Sequence, residues 1–238
     1  MTKFQPRLWP TVITFVMLAI LIGLGSWQLE RRAWKTELLA TIAERMDAPP
    51  VELEAGAVDR AAWVFRNVTV SGHFADVAPF HLYGRTHDGK AGVHLIAPLI
   101  RDDGSVVLID RGFVPFLPGG ALADYRHDNG PVTVNGVVRE PEPAGWFLPD
   151  SKPAQNIWYA VEPNAMAEAS HLALATPLYI AQRPNGASGW PAATGGSEGT
   201  GIRNEHLNYA IFWYSMAVAL IVIYFMSSMR RARISDSL

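Results

Sequence analysis

The chain has 238 residues, 49% of them hydrophobic and 18% charged, with a net charge of −2 and no cysteine. The charged fraction is below the ~25% of ordinary soluble domains, and a near-neutral balance offers no electrostatic footprint for nucleic acid. Without cysteine, disulfides, thiolate metal sites, iron–sulfur clusters and thiol catalysis are all excluded.

Residues 1–7 form a short basic tail carrying Lys3 and Arg7. Residues 8–29 then hold 22 consecutive uncharged side chains, enough for a membrane-crossing helix, which needs roughly 20. A secretory signal shares this order of charge then apolar run. Its apolar core, however, is only ~7–15 residues long and ends in a small-x-small cleavage site. Here Gly25-Ser26-Trp27-Gln28 leads straight into charge. An uncleaved span is expected, with Trp9 and Trp27 as interfacial anchors.

Residues 30–46 keep a helical pattern. Trp34, Leu38, Ile42 and Met46 recur every four residues among Arg31, Arg32, Lys35, Glu37, Glu44 and Arg45, which predicts an amphipathic extension of the first helix. Asp47-Ala48-Pro49-Pro50 ends it.

Residues 47–184 read as a β-rich domain. Strands are predicted in 64–74, 80–84, 94–100, 105–110 and 177–182. Turns are expected at His87-Asp88-Gly89-Lys90 and Asp102-Asp103-Gly104, and a hairpin around Asn135-Gly136. Asp110-Arg111-Gly112 reads as a turn held by an internal ion pair, with glycine supplying unusual dihedrals. Pro163 opens one short helix reaching His171. His73, His81, His87 and His94 fall in this region, but their spacings match no familiar zinc pattern. Neither a nucleophile elbow nor a phosphate loop is present, so nucleophilic hydrolysis finds no support.

Residues 185–206 form a glycine-rich linker. Residues 207–229 are again free of charge and predict a second span, followed by the basic tail 230–238. The fold class expected is therefore a membrane protein: two transmembrane α-helices flanking a β-rich (α+β) extracytoplasmic domain. Both tails carry Lys or Arg, which predicts both termini in the cytoplasm, against the local pull of Arg31, Arg32 and Lys35, and the β-rich domain in the periplasm beyond an inner membrane, or in the intermembrane space if the source is a mitochondrion.

His206 stands at the water-facing mouth of the second span, on one helical face with Tyr209, Ala210 and Trp213. An imidazole there is either an interfacial anchor or a ligand. Trp27, Tyr209 and Trp213 suit a membrane belt as well as a cofactor wall. Arg31 and Lys35 suit a span terminus meeting lipid phosphate as well as an anion site.

Three separated segments carry a resemblance. They are Gly25-x-Trp27-Gln28-x-x-Arg31-x-x-x-Lys35, then Val107-Leu108-Ile109-Asp110-Arg111-Gly112-Phe113-Val114-Pro115, then Asn204-x-His206-Leu207-x-Tyr209-Ala210-x-x-Trp213. In their order and positions they make the chain resemble the Surfeit locus protein family, membrane factors that assist assembly of haem-copper cytochrome oxidases. Phe113 stands where the family usually has Trp. Phe212 replaces its Thr, and Tyr214 its Phe. The resemblance implies a role, without catalysis, in placing haem a in cytochrome c oxidase subunit I, alongside haem a synthesis and assembly proteins. It implies His206 as an axial ligand of the haem iron. Ala210 and Trp213 would line an apolar slot, Tyr209, Trp27 and Gln28 would lie at the same interface, and Arg31 and Lys35 would meet the propionates. Only neutral imidazole ligates, so binding is expected to weaken in acid. The alternative is a membrane-anchored scaffold that binds oxidase subunits without cofactor.

Overall fold

The computed structural model describes residues 2–4, 6–53, 59–141, 148–186, 188–195 and 205–231. In chain order the elements are β1 (Thr2–Phe4), α1 (Leu8–Asp47), β2 (Val51–Glu52), α2 (Arg60–Trp63), β3 (Asn67–Phe74), β4 (Phe80–His87), β5 (Lys90–Arg101) and β6 (Val106–Pro115). There follow β7 (Pro131–Arg139), β8 (Ile157–Trp158), α3 (Pro163–Ser170), β9 (Leu174–Gln182), α4 (His206–Ser228) and β10 (Met229–Arg231). The chain divides into two compact units, residues 1–41 with 202–238, and residues 42–201.

The first unit is an antiparallel pair of helices. α1 and α4 are both long and apolar enough to cross a membrane. Small side chains let them approach. Ala210 and Ala217 of α4 are buried, and a Cβ on Gly25 of α1 would lie 2.9 Å from the Tyr214 ring. Close approach through Gly and Ala is the usual way to pair helices where water cannot drive association. Tyr214 Oη shares a hydrogen bond with Ser26 Oγ at 3.1 Å, and Thr11 Oγ1 shares one with Tyr224 Oη at 2.8 Å. At the far end β1 pairs antiparallel with β10, Lys3 opposite Arg230. Both tails therefore leave the helix pair side by side.

The second unit is a β-barrel. The neighbours run β3-β7-β9-β6-β5, and a short β5–β3 pairing at Gly72–Phe74 closes the ring. β6 is buried along its whole length, because both of its faces are covered. Val107 and Ile109 point into the barrel with Val68, Val70, Leu99, Val134, Val138, Leu178 and Ile180. Leu108, on the other face, packs under β4, β8 and α3 with Phe80, Leu82, Ile96, Trp158 and Met166. Such a strand shows no apolar–polar alternation, which is why a continuous apolar run is its signature.

The amphipathic stripe predicted for residues 30–46 is buried only at its end. Ile42 and Met46 pack on Val137 within the β-rich unit, whereas Trp34 and Leu38 are exposed. Residues 8–47 form one continuous helix.

Two local expectations are corrected. Asn135-Gly136 is not a hairpin turn but the middle of β7, where Gly136 faces Val68 on one side and Gln182 on the other. Glycine is there for space: a Cβ would lie 2.5 Å from Ile180 Cγ2 and 2.6 Å from the Ala181 oxygen. Asn135 receives a hydrogen bond from Thr69 Oγ1 across the sheet at 2.6 Å.

Asp110-Arg111-Gly112 likewise is not a turn, and its two charges do not pair with each other. It lies within β6, so Asp110 and Arg111 point to opposite faces. Asp110 binds His94 of β5, with Nδ1 2.9 Å from Oδ2, and accepts the Gly112 N–H at 3.0 Å. Both partners of this pair are buried, His94 at 3% and Asp110 at 7% exposure. Arg111 instead donates from Nη2 to Asp128 Oδ2 at 2.6 Å and to the Arg126 carbonyl at 3.0 Å. The special dihedral expected of Gly112 is present, at φ +113°, and its bare Cα admits the Ala192 carbonyl, 2.1 Å from where a Cβ would stand.

The other three of those four histidines are scattered. His87 is 3.6 Å from Asp88, and His73 lies on the barrel rim. His81, on β4, is half-buried, and desolvation holds its imidazole below the ordinary pKa. The folded state then binds less proton than the unfolded chain as pH falls below ~6.5. The stability involved is complete above that pH and is lost as acid approaches the depressed folded value. Denaturation midpoints should therefore fall between pH 7.5 and 5.5, and His81→Asn should flatten that slope. A His81→Asn profile parallel to wild type would refute the assignment.

Candidate functional site

His206 opens α4, with Glu205 just before it at φ −96°, ψ 8°. Helix α4 starts here because the uncharged run begins here, and Glu205 places a negative charge by the helix N-terminus, where it is favourable. The imidazole turns toward α1. Its Nδ1 is 2.7 Å from Oε1 of Gln28. An amide oxygen only accepts, so Nδ1 carries the hydrogen and the neutral ring keeps its lone pair on Nε2. That is the arrangement in which a second partner orients a metal-binding histidine.

Beside this bond, Lys35, Glu205, His206 and Tyr209 line a hollow of about 270 Å³. Gln28 and Lys35 are seven residues apart and so fall on one face of α1. Tyr209 is 55% exposed and stands one turn along α4.

The structure thus brings four of the seven sequence-derived residues together: His206, Tyr209, Gln28 and Lys35. The other three lie apart from the hollow. Arg31 turns its guanidinium over the Trp34 ring, 4.9 Å from the centroid. Trp27 is exposed. Trp213 packs edge-on against Phe212, with centroids 5.4 Å apart. Two participants escaped sequence reasoning. Glu205, a lining residue, is signalled only by its adjacency to His206. Tyr214 takes the place against Gly25 that closes the helix pair, and it shows in the sequence only as an aromatic substitution.

Chemically, the hollow presents one imidazole nitrogen, one ammonium, one carboxylate and one phenol. The first suits a metal and the second an anion. Among the described residues, no group of three or more His, Asp or Glu side chains comes together to hold a bare metal ion. A metal at His206 would have to bring most of its own ligands.

Comparison with known proteins locates this arrangement. The model of the SURF1 family matches residues 15–218, from within α1 to the middle of α4. Surfeit locus protein 1 of Mus musculus is 31% identical over 233 residues, covering 91% of this chain and 74% of the relative. A SURF1-like protein of Monosiga brevicollis is 32% identical over 218 residues, covering 86% and 82%. A SURF1-like protein of Rickettsia bellii (strain RML369-C) is 29% identical over 217 residues, covering 90% and 87%.

Proposed function

This chain belongs to the SURF1 family, and from that premise we propose that it assists assembly of haem-copper cytochrome c oxidase, holding haem a for subunit I through His206. In this reading the protein is a carrier and not an enzyme. Its partners are subunit I and the proteins that make and deliver haem a. Residues 8–29 and α4 cross the inner membrane, both termini are cytoplasmic and the barrel is periplasmic. Support for the spans comes from their length, their unbroken apolar character and their largely exposed apolar surface. The side-by-side tails fit termini that share one side of the membrane.

The observation that carries the reading is the 2.7 Å bond between His206 and Gln28. Among the described residues it leaves Nε2 without a partner, and haem iron takes such a nitrogen. The donor set therefore fits. Lys35 lines the same hollow and would supply a cation for a propionate. The hollow of about 270 Å³ is smaller than the ~300–1,000 Å³ of pockets that enclose a ligand. It suits the iron side of the disc, and the rest would rest on exposed apolar side chains. A carrier that gives up its cargo gains from such partial enclosure, since less surface must be uncovered on release.

The test is colour. Purified from cells that make haem a, the wild-type protein should show a Soret band, and His206→Ala should lose it with an unchanged circular-dichroism spectrum. A colourless wild type, or a variant that keeps its band, would leave the anchored scaffold as the better account.

A further inference from the structure

We propose a second binding site, independent of the haem reading: the mouth of the β-barrel is a socket for a carboxylate, held by Arg111. The socket is a cleft of about 460 Å³, and its lining includes Phe74 of β3, Ala97 of β5, Arg111 of β6 and the segment around Asp128 that leads into β7. It exists because of two residues. Continuing the inward alternation of Val107 and Ile109, Arg111 is the last inward side chain of β6, and its guanidinium lies over the Phe74 ring, 4.6 Å from the centroid. Ala97, paired with Ile109, is too small to fill the space beside it.

The charge arrangement points to an anion. Arg111 is 5% exposed, so its charge is largely removed from water. Both hydrogens of Nη2 are used, on Asp128 and the Arg126 carbonyl. Among the described residues Nη1 and Nε have no acceptor, and neither is among the side-chain atoms sealed from solvent without a partner. They therefore face the cleft. Asp128 does not neutralise Arg111 alone, because Arg126 Nε binds its other oxygen at 2.9 Å. Two guanidinium groups share one carboxylate, which leaves one positive charge at the floor. A buried cation with spare donors is costly until an acceptor arrives. His73 and His127 stand on the rim, and Asp76, exposed on the same rim, opposes an anion. The mouth of a barrel is a frequent place for a ligand.

A carboxylate suits the site because a guanidinium offers directional N–H groups to its oxygens, and Phe74 and Ala97 provide room for a short apolar stem. The carboxylate has two possible sources, a small organic acid or an acidic side chain of a partner protein.

The full chain in detergent is titrated separately with glutarate, with a Gly-Glu-Gly-Glu-Gly peptide and, at matched ionic strength, with sulfate. Backbone amide resonances of Phe74, Arg111 and Gly130 are followed. Saturable shifts with glutarate alone assign a small acid, and shifts with the peptide assign a protein carboxylate. Either supports the site. Arg111→Gln should weaken binding at least tenfold. Should that variant not fold, Ala97→Leu, which fills the cleft and keeps every charge, should do the same. No saturable shift with either carboxylate, equal shifts with sulfate, or unchanged affinity in both variants overturns the proposal.

Discussion

Asp110→Ala should destabilise the β-rich unit by about 1–3 kcal/mol, the usual cost of leaving a buried donor without its acceptor. The alanine strands His94 without its carboxylate and takes the acceptor from the Gly112 N–H. Asp110→Asn keeps an oxygen for one of those donors and should cost distinctly less. A paired replacement, His94→Leu with Asp110→Leu, should recover part of the loss, because neither half of this pair is left facing the other's absence, while the Gly112 N–H stays without its acceptor. Urea denaturation of the full chain, read from near-ultraviolet circular dichroism of the buried Trp158, yields the cycle. Additive single effects would mean that the two side chains act separately.

The second large effect concerns Gln28. It touches no iron in the proposal, yet it decides which imidazole nitrogen is available. Gln28→Leu keeps the bulk and removes the acceptor, so His206 loses the partner that fixes its tautomer and ring angle. Loss of such a partner typically costs 10–100-fold in metal affinity. Gln28→Glu retains an acceptor oxygen and should bind haem far better than the leucine variant. Titration with haem b, followed at the Soret band, measures both. Equal affinity for Leu and Gln at position 28 would show that the His206–Gln28 bond is packing and not positioning. Because His206 itself is unchanged, a failure here would leave the ligand role of His206 standing.

Much of this molecule is legible in its sequence. The two apolar helices are written in uninterrupted runs, and the boundary at His206 falls where charge stops. The turns at Asp88-Gly89 and Asp102-Asp103-Gly104 carry the residues that positive dihedrals demand, and Asp88, Gly89 and Gly104 have them. What misled was local chemistry overruled by distant neighbours. Asn135-Gly136 is the strongest short hairpin signal known, but Ile180 and Ala181 press on that glycine from another strand. Asp110 beside Arg111 suggests a pair, but strand geometry separates adjacent side chains and sends each to a different partner. At the helix pair, spacing could align Gln28, Arg31 and Lys35 on one face. It could not tell that Arg31 would find Trp34, nor that Gln28 rather than a cation would meet the histidine.

The way the barrel closes bears on how it is made. Its ring is completed by β9, which runs parallel to β6 and antiparallel to β7, and β9 is the last strand of the ring to be synthesised. Until Gln182 has left the ribosome, β6 and β7 each show an unpaired edge, the kind that invites wrong partners. Non-local pairings of this sort also form slowly. A chain that has not yet supplied β9 can therefore form that sheet only with the edges of β6 and β7 open.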